Sequence, residues 1–280
     1  MLHPVYAQKQ HNFETLTKAT GLPFRHITSI AQDSLGFIWL GSLQGLFRYD
    51  GNEFKSFNRG NTSTNYIPKD RISYLTVDRS NKNYLWFVAD GNLFKMNLSM
   101  EELATYSEAA NIRGNILDLK ADLNGTIWVV SKQTVGKETY LFLQQRISEG
   151  SFAVVDSTVK KLHPFSSLAF DNHQNTWWAT IHGSTSYTNE NKKKYRTNLD
   201  TYNWFGSDLH FIESFFDHRN NHYYFPKSTG GINLYSINKT KRVLDVPHNI
   251  YFATEDNQHG VWFAGKRELY LKNKEGKIKD

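Results

Sequence analysis

Short apolar runs with alternating polarity, separated by polar turn residues, extend along the whole chain. In the first clear example, a run at residues 27–30 leads into a turn that contains Asp33 and Gly36, and a second run follows at residues 37–40. Alternation with period two is typical of half-buried β-strands. Because Asp accepts hydrogen bonds from nearby backbone N–H groups and Gly supplies positive φ, the residues between the runs predict a tight hairpin turn. Trp39 is predicted to point from the second strand into a core.

This hairpin pattern recurs six times, with an apolar strand that ends at an Asp, a turn, and an aromatic strand in each copy. The Asp residues lie 45, 44, 49, 46 and 39 residues apart: Asp33, Asp78, Asp122, Asp171, Asp217 and Asp256. The following strands carry, in chain order, Trp39, Trp86, Trp128, Trp177, Tyr223 and Trp262. A residue that is present in every copy serves the repeat, so we interpret the Asp as a turn cap and not as a catalytic or calcium-binding group.

Each copy continues with a second turn, a third strand and a weaker fourth strand such as residues 54–57. Residues 101–110 fit either a short helix or a fourth strand. Four strands in about 45 residues are typical of a propeller blade. We therefore predict an all-β fold, a β-propeller of four-stranded blades in which the aromatic side chain of the second strand packs between neighbouring blades.

Composition narrows the possible functions. Aromatic residues make up 15% of the 280 residues, which suits strands, and Cys is absent, which excludes disulfides, thiolate metal sites and cysteine nucleophiles. The net charge of +6 comes mostly from scattered basic residues, which indicates a solvated surface and no nucleic-acid partner. The dense basic run at residues 192–196 is predicted to lie in a loop or at a strand tip. No apolar run approaches the length of a membrane span.

The topology of a propeller bounds a binding site. The loop before the first strand and the turn between the second and third strands lie at one end of each blade, opposite the Asp turns. Polar residues that differ between the copies occupy these loops, and we predict that they contact a hydroxyl-rich or acidic ligand. They are Arg25, His26, Gln44, Arg71, Asp90, Arg113, Lys132, His182, His210, Lys227, His248, Lys266 and Arg267. Trp204 lies outside the repeat pattern, where it could stack on a sugar or pack in the core.

No pattern indicates a cofactor, a metal site or a catalytic residue. The histidines form no Glu-x-x-His pair, and the sequence has neither a nucleophile elbow nor a phosphate-binding glycine loop. We therefore predict that the protein is not an enzyme.

The first copy resembles the two-component regulator propeller repeat. The resemblance extends from about Gly21 to the C-terminus, and the later copies match the repeat less closely than the first. The matching residues are Gly21-Leu22, Ile27, Ile30, Gln32-Asp33, Gly36, Ile38-Trp39-Leu40-Gly41-Ser42, Gly45-Leu46 and Arg48-Tyr49-Asp50. The resemblance implies a periplasmic input region of a hybrid sensor histidine kinase that senses an oligosaccharide and signals through the rest of the kinase or its dimer mate. The sequence contains no kinase, receiver or membrane segment, so membrane attachment would require segments missing from it.

Two arrangements fit the ends of the sequence. Residues 13–17 resemble a fourth strand and could close a six-bladed propeller, or the chain is a truncated seven-bladed one, which we favour because seven blades are usual in the family. The propeller is predicted at residues 13–280. Residues 1–12 are interpreted as a signal-peptide remnant or a disordered tail, because Val5-Tyr6-Ala7 fits the pattern before a signal-peptidase site.

Two rival functions stay open. A lyase-type propeller enzyme would need an axial metal site, with His182, His210, Glu213 and His248 converging within coordination distance. A protein-interaction scaffold would show an uninterrupted apolar patch on one face.

Overall fold

The computed structural model describes residues 15–57, 67, 71–78, 83–105, 111–160, 166–171, 175–180, 183–187, 194–197, 215–217, 222–226, 232–236, 241–244, 250–256, 260–265, 269–272 and 278–279. In these residues the chain is all-β apart from the short 3-10 helix Lys18–Thr20. No helix among them is long and apolar enough to cross a membrane.

Within the described residues, 24 strands form six four-stranded antiparallel sheets, in each of which consecutive strands are neighbours. We number the sheets as blades one to six. Blades one and two contain β1 (Ile27–Gln32), β2 (Ile38–Ser42), β3 (Gly45–Tyr49), β4 (Phe54–Ser56), and β5 (Ile72–Val77), β6 (Tyr84–Ala89), β7 (Asn92–Asn97), β8 (Glu102–Thr105). Blades three and four contain β9 (Asn115–Ala121), β10 (Ile127–Val135), β11 (Glu138–Ser148), β12 (Ser151–Lys160), and β13 (Ser166–Phe170), β14 (Thr176–Thr180), β15 (Gly183–Tyr187), β16 (Lys194–Thr197). Blades five and six contain β17 (Phe215–Asp217), β18 (His222–Pro226), β19 (Ile232–Ser236), β20 (Lys241–Leu244), and β21 (Ile250–Glu255), β22 (Val261–Gly265), β23 (Leu269–Lys272), β24 (Ile278–Lys279).

The first strands of consecutive blades contact one another in succession, from β1 and β5 through to β17 and β21. A hydrogen bond links the first two blades directly, because the Thr28 hydroxyl donates to the Ile72 carbonyl oxygen at 2.6 Å. The first strand of each blade is thus the inner strand and the fourth is the outer one. This arrangement confirms the predicted propeller-type fold of four-stranded blades.

The core lies between the blades, as the repeat pattern predicts. Trp39 is 1% exposed and packs in one cluster with Ile72 and Leu85 of blade two. Trp86 occupies the equivalent cluster between blades two and three, with Ile116. Because each sheet has two apolar faces, stacking blades buries surface that one sheet alone would expose to water.

Blade three is longer than its neighbours, which the repeat does not predict. β10, β11 and β12 have 9, 11 and 10 residues, whereas β4 of blade one has 3. The extra length forms a hairpin that turns at Gly136 with φ +62 and exposes Val135.

Several predictions from the sequence can be compared with the observed ends of strands. Residues 102–105 form the strand β8, so a fourth strand replaces the alternative helix there. The basic run at residues 192–196 enters β16 at Lys194, which agrees with a strand tip, and residues 192–193 lie outside the described residues. The fourth strand of blade six is β24, whereas residues 1–14, including the proposed signal-peptide remnant, lie outside the described residues.

Candidate functional site

The Asp turns are closed by their own hydrogen bonds. Asp33 Oδ1 accepts the backbone N–H groups of Leu35 at 2.9 Å and Phe37 at 3.1 Å. Asp33 Oδ2 accepts the indole N–H of Trp39 at 2.8 Å. The carboxylate therefore caps the turn, as predicted, and also holds the buried Trp ring, which the sequence interpretation missed.

The same carboxylate-to-indole bond recurs in four further blades. Its Oδ2 to Nε1 distances are 3.4 Å for Asp78 and Trp86, 2.9 Å for Asp122 and Trp128, 3.1 Å for Asp171 and Trp177, and 2.7 Å for Asp256 and Trp262. The bond is longest in blade two, where two extra residues separate the Asp from the Trp. The spacing of six residues between Asp and Trp in the other four blades was the sequence signal for this bond. Because both oxygens accept hydrogen bonds within the turn in Asp33, Asp122, Asp171 and Asp256, these carboxylates serve the scaffold.

The candidate ligand residues of blades one to three lie at the opposite end of each blade. Strand pairing places Ile27 opposite Ser42, Ile72 opposite Ala89, and Asn115 opposite Lys132. The loop before each first strand therefore lies beside the turn that follows each second strand. In these loops Arg25, His26, Gln44, Arg71, Asp90 and Arg113 are exposed and Lys132 is half-buried.

A β-bulge interrupts the first strand at this end in blades one, two, three and six. The register shifts leave one residue of the first strand unpaired in each: Thr28, Ser73, Leu117 and Tyr251. Bulges bend a strand and turn its side chains toward a new direction, and they are common beside binding sites. The sequence contained no visible signal for them, because a bulge depends on the pairing register.

The buried side-chain amide of Gln144 fixes the loop before the first strand of blade three. Gln144 is fully buried, and its Oε1 accepts the backbone N–H of Arg113 at 2.9 Å. Its Nε2 donates to the Arg113 carbonyl oxygen at 3.3 Å and to Ser131 Oγ at 2.8 Å. Ser131 Oγ in turn donates to the same Arg113 carbonyl oxygen. The peptide groups on both sides of the Arg113 Cα are thus fixed.

Arg113 and Lys132 share one end of blade three but lie on opposite faces of its sheet. The Arg113 guanidinium carbon lies 5.8 Å from the ring centroid of Phe142, which pairs with Ser131. Lys132 is the next residue along β10, and successive side chains of a strand point to opposite faces. Arg113 therefore lies on the face that packs against blade two, and Lys132 lies on the face that packs against blade four.

The other predicted ligand residues lie outside the described residues: His182, Trp204, His210, Lys227, His248, Lys266 and Arg267. The same is true of Glu213, so the convergence that a lyase-type metal site requires is not tested. Among the described residues, no group of three or more His, Asp or Glu side chains could hold a metal ion.

A cavity of about 260 Å³ lies at the other end of blade three, beside the Asp122 turn. Asn124, Thr126, Arg146 and Ser148 contribute to its lining. Arg146 is engaged by Glu149, with 2.5 Å between the guanidinium Nη2 and Glu149 Oε2.

Comparison with known proteins agrees with this geometry. Residues 21–44 match the family model described as two component regulator propeller. No curated protein shows significant sequence similarity to the chain.

Many solved structures are similar to the chain in fold, and three of them are described here. Two are extracellular domains of hybrid two component systems from B. thetaiotaomicron, with 15% and 16% identity and TM-scores of 0.66 and 0.64. They cover 95% and 91% of this chain, which spans 36% of the length of each. The third is regucalcin, a calcium-binding protein from Agrobacterium tumefaciens, with 12% identity, a TM-score of 0.57, and coverage of 86% of this chain and 82% of its own.

Proposed function

We propose, since the chain carries the two component regulator propeller repeat, that it is a ligand-sensing input module of a two-component signalling system. The observation that carries the proposal is the division of each blade into a uniform end and a variable end. At the uniform end, equivalent Asp carboxylates close the turn and accept a hydrogen bond from equivalent Trp indoles. At the variable end, equivalent positions carry different polar residues.

The variable end suits one asymmetric polar ligand. Equivalent loops present Arg25 and His26 in blade one and Arg71 and Asp90 in blade two. Asp90 is anchored, because its backbone N–H donates to the Arg71 carbonyl oxygen at 3.0 Å. Guanidinium, imidazole and carboxylate groups together supply the donors and acceptors that a ligand with many hydroxyl groups requires. We therefore propose an oligosaccharide as the ligand, with Gln44 and Lys132 as further contacts and Trp204 as a stacking surface.

The signalling context supplies the proposed partners and location. Because two of the similar solved structures are extracellular domains of two component systems, we propose that this propeller lies outside the cytoplasm, in the periplasm. Its partners are then the rest of a sensor kinase or a second copy in a dimer. We take residues 13–280 as the propeller domain and residues 1–12 as the remnant of an export signal or a tail. We assign the domain binding and no catalytic step.

A thermal-shift screen followed by calorimetry tests this proposal. Neutral and acidic oligosaccharides are screened against the wild-type protein, and at least one is expected to raise its Tm by stabilising the native state. Arg71→Ala at the variable end is expected to weaken binding of that sugar. Asn124→Ala, in the exposed Asp122 turn of blade three, is the matched control and is expected to leave the affinity unchanged.

Two results would contradict the proposal. One is the absence of a Tm shift with every oligosaccharide. The other is a loss of affinity in Asn124→Ala with none in Arg71→Ala, which would place the site at the Asp turns. Chromatography of the sugar after incubation checks the assignment of binding without catalysis, since a cleaved product would indicate an enzyme.

A further inference from the structure

We propose that Arg113 contacts an anionic group of the ligand, a carboxylate or a sulfate, and that the buried Gln144 is its positioning residue. The inference rests on the ligand end proposed above and goes further, because it names one contact, its chemistry and the residue that fixes it.

Gln144 departs from the repeat. In the pairing of second and third strands, Gln144 lies opposite Val129, at the position that Phe47 holds opposite Leu40. Blades two and six have Phe94 and Tyr270 at this position, whereas blade five has Leu234 and blade four has Thr185. An aromatic side chain there fills the core of the blade. A buried amide at the same position needs partners for its polar atoms, and it finds them in the backbone of Arg113 and in Ser131.

Gln144 fixes the backbone of a single residue. Its amide oxygen accepts the backbone N–H of Arg113, and its amide nitrogen donates to the Arg113 carbonyl oxygen. The loop is constrained on either side as well, because Asn111 has φ +53 and Gly114 has φ +73. A Cβ at Gly114 would overlap the carbonyl group of Lys132. The loop therefore packs closely on the second strand and presents Arg113 in one backbone conformation.

The guanidinium of Arg113 is placed for an anion. Its carbon lies 5.8 Å from the ring centroid of Phe142, within cation–π range, and such a contact leaves the N–H groups of a guanidinium able to form paired hydrogen bonds with an oxyanion. Arg113 is exposed, and within the part of the chain that the structure describes it forms no ion pair with Asp or Glu. Because the loop is already ordered, binding does not have to order it, which favours affinity.

The experiment follows the Arg113 side chain directly by NMR. Sodium sulfate and sodium acetate are titrated at constant ionic strength into the wild type, Arg113→Gln, Gln144→Leu and Lys137→Gln. We expect a saturable shift of the Arg113 Nε–H resonance with a Kd in the millimolar range. A tighter response to sulfate than to acetate identifies a sulfate ester as the ligand group, and the reverse identifies a carboxylate. Lys137→Gln, which removes an exposed cation of the same blade from the turn between β10 and β11, is the control and should retain the Arg113 response.

Gln144→Leu tests the positioning role separately from stability. We expect sulfate binding at Arg113 to weaken about tenfold, and the Arg113 backbone amide to exchange with solvent at least about tenfold faster, once the hydrogen bonds to Gln144 are lost. Amides in blade one should retain their exchange rates, which a general loss of stability would not allow. Ser131→Ala, which removes the two hydrogen bonds of the Ser131 hydroxyl and leaves both bonds between Gln144 and the Arg113 backbone, serves as the second variant and should show a smaller change in the same direction.

Four results are decisive. A wild-type Arg113 resonance that does not saturate with either anion overturns the proposal, and so does an unchanged Arg113 amide in both Gln144→Leu and Ser131→Ala. Oligosaccharide binding at the variable end with no anion response at Arg113 leaves the sensor proposal intact and overturns this one. Saturable sulfate binding at Arg113 without any oligosaccharide ligand supports the anion contact and overturns the oligosaccharide proposal.

Discussion

Replacing Asp122 by Asn tests whether the hydrogen bond between the Asp carboxylate and the Trp indole stabilises its blade. Asp122 is 6% exposed, and its carboxylate accepts the N–H groups of Asn124 and Thr126 and the indole N–H of Trp128, each at 2.9 Å. Asn retains one oxygen for the two backbone donors. Its NH2 group then faces the indole N–H, so two donors meet in a buried site and one of them is left without an acceptor.

The expected destabilisation follows from these bonds. A hydrogen bond to a charged group contributes about 1.5 to 3 kcal/mol, and leaving a buried donor without a partner costs about 1 to 3 kcal/mol. Because the two effects overlap, we expect Asp122→Asn to lower the free energy of unfolding by about 2 to 4 kcal/mol. For a chain of this size that corresponds to a fall in Tm of roughly 5 to 15 °C.

Urea unfolding followed by circular dichroism measures the effect without relying on Trp fluorescence. The cycle of Asp122→Asn, Trp128→Phe and the double variant should give a coupling of about 1 to 2 kcal/mol. Asp50→Asn is the matched control, since Asp50 caps an exposed turn through Asn52 and Glu53 at 2.8 Å and binds no Trp. If Asp122→Asn destabilises no more than Asp50→Asn, or the cycle shows no coupling, the bond does not stabilise the blade.

Two further predictions concern turns. Gly114→Ala should lower the free energy of unfolding by about 2 to 3 kcal/mol, because Gly114 has φ +73 and an added Cβ would overlap the Lys132 carbonyl. Gly36→Ala should lower it by only about 1 kcal/mol, because Gly36 has φ +92 but open space around it. Equal urea midpoints for the two variants would contradict this prediction. Hydrogen bonds from the Glu53 and Asn52 N–H groups lower the pKa of Asp50 below 3.8. The stabilisation from this carboxylate is therefore present at neutral pH and is lost as the pH falls through the lowered pKa, and an NMR titration of the Asp50 carboxyl carbon with a midpoint at or above 3.8 would refute it.

Much of the scaffold could be predicted from the sequence because it repeats. The Asp turns, the buried Trp39 and the four-strand blades all follow from features that recur within each copy. The bond between Asp33 and Trp39 was also accessible, since a fixed spacing of six residues joins them, but spacing alone was interpreted as turn capping and packing.

The individual features of blade three were not accessible in the same way. Gln144 reads as an ordinary polar residue in a strand, and its role appears only when the register places it opposite Val129 and inside the core. Likewise, Arg113 and Lys132 were grouped because their loops share one end, whereas the alternation of β10 separates them onto two faces. Register and bulges depend on pairing between distant segments, which local sequence patterns do not encode.

Hydrogen exchange of the protein with and without a bound oligosaccharide tests the sensor proposal most directly. We expect slower exchange on binding in the loops at residues 25–28, 71–73 and 111–114, which lie at the variable end. The turns at residues 34–36 and 123–125 should exchange at the same rate in both states. Protection confined to those Asp turns, or no protection at saturating sugar, would contradict a ligand site at the variable end.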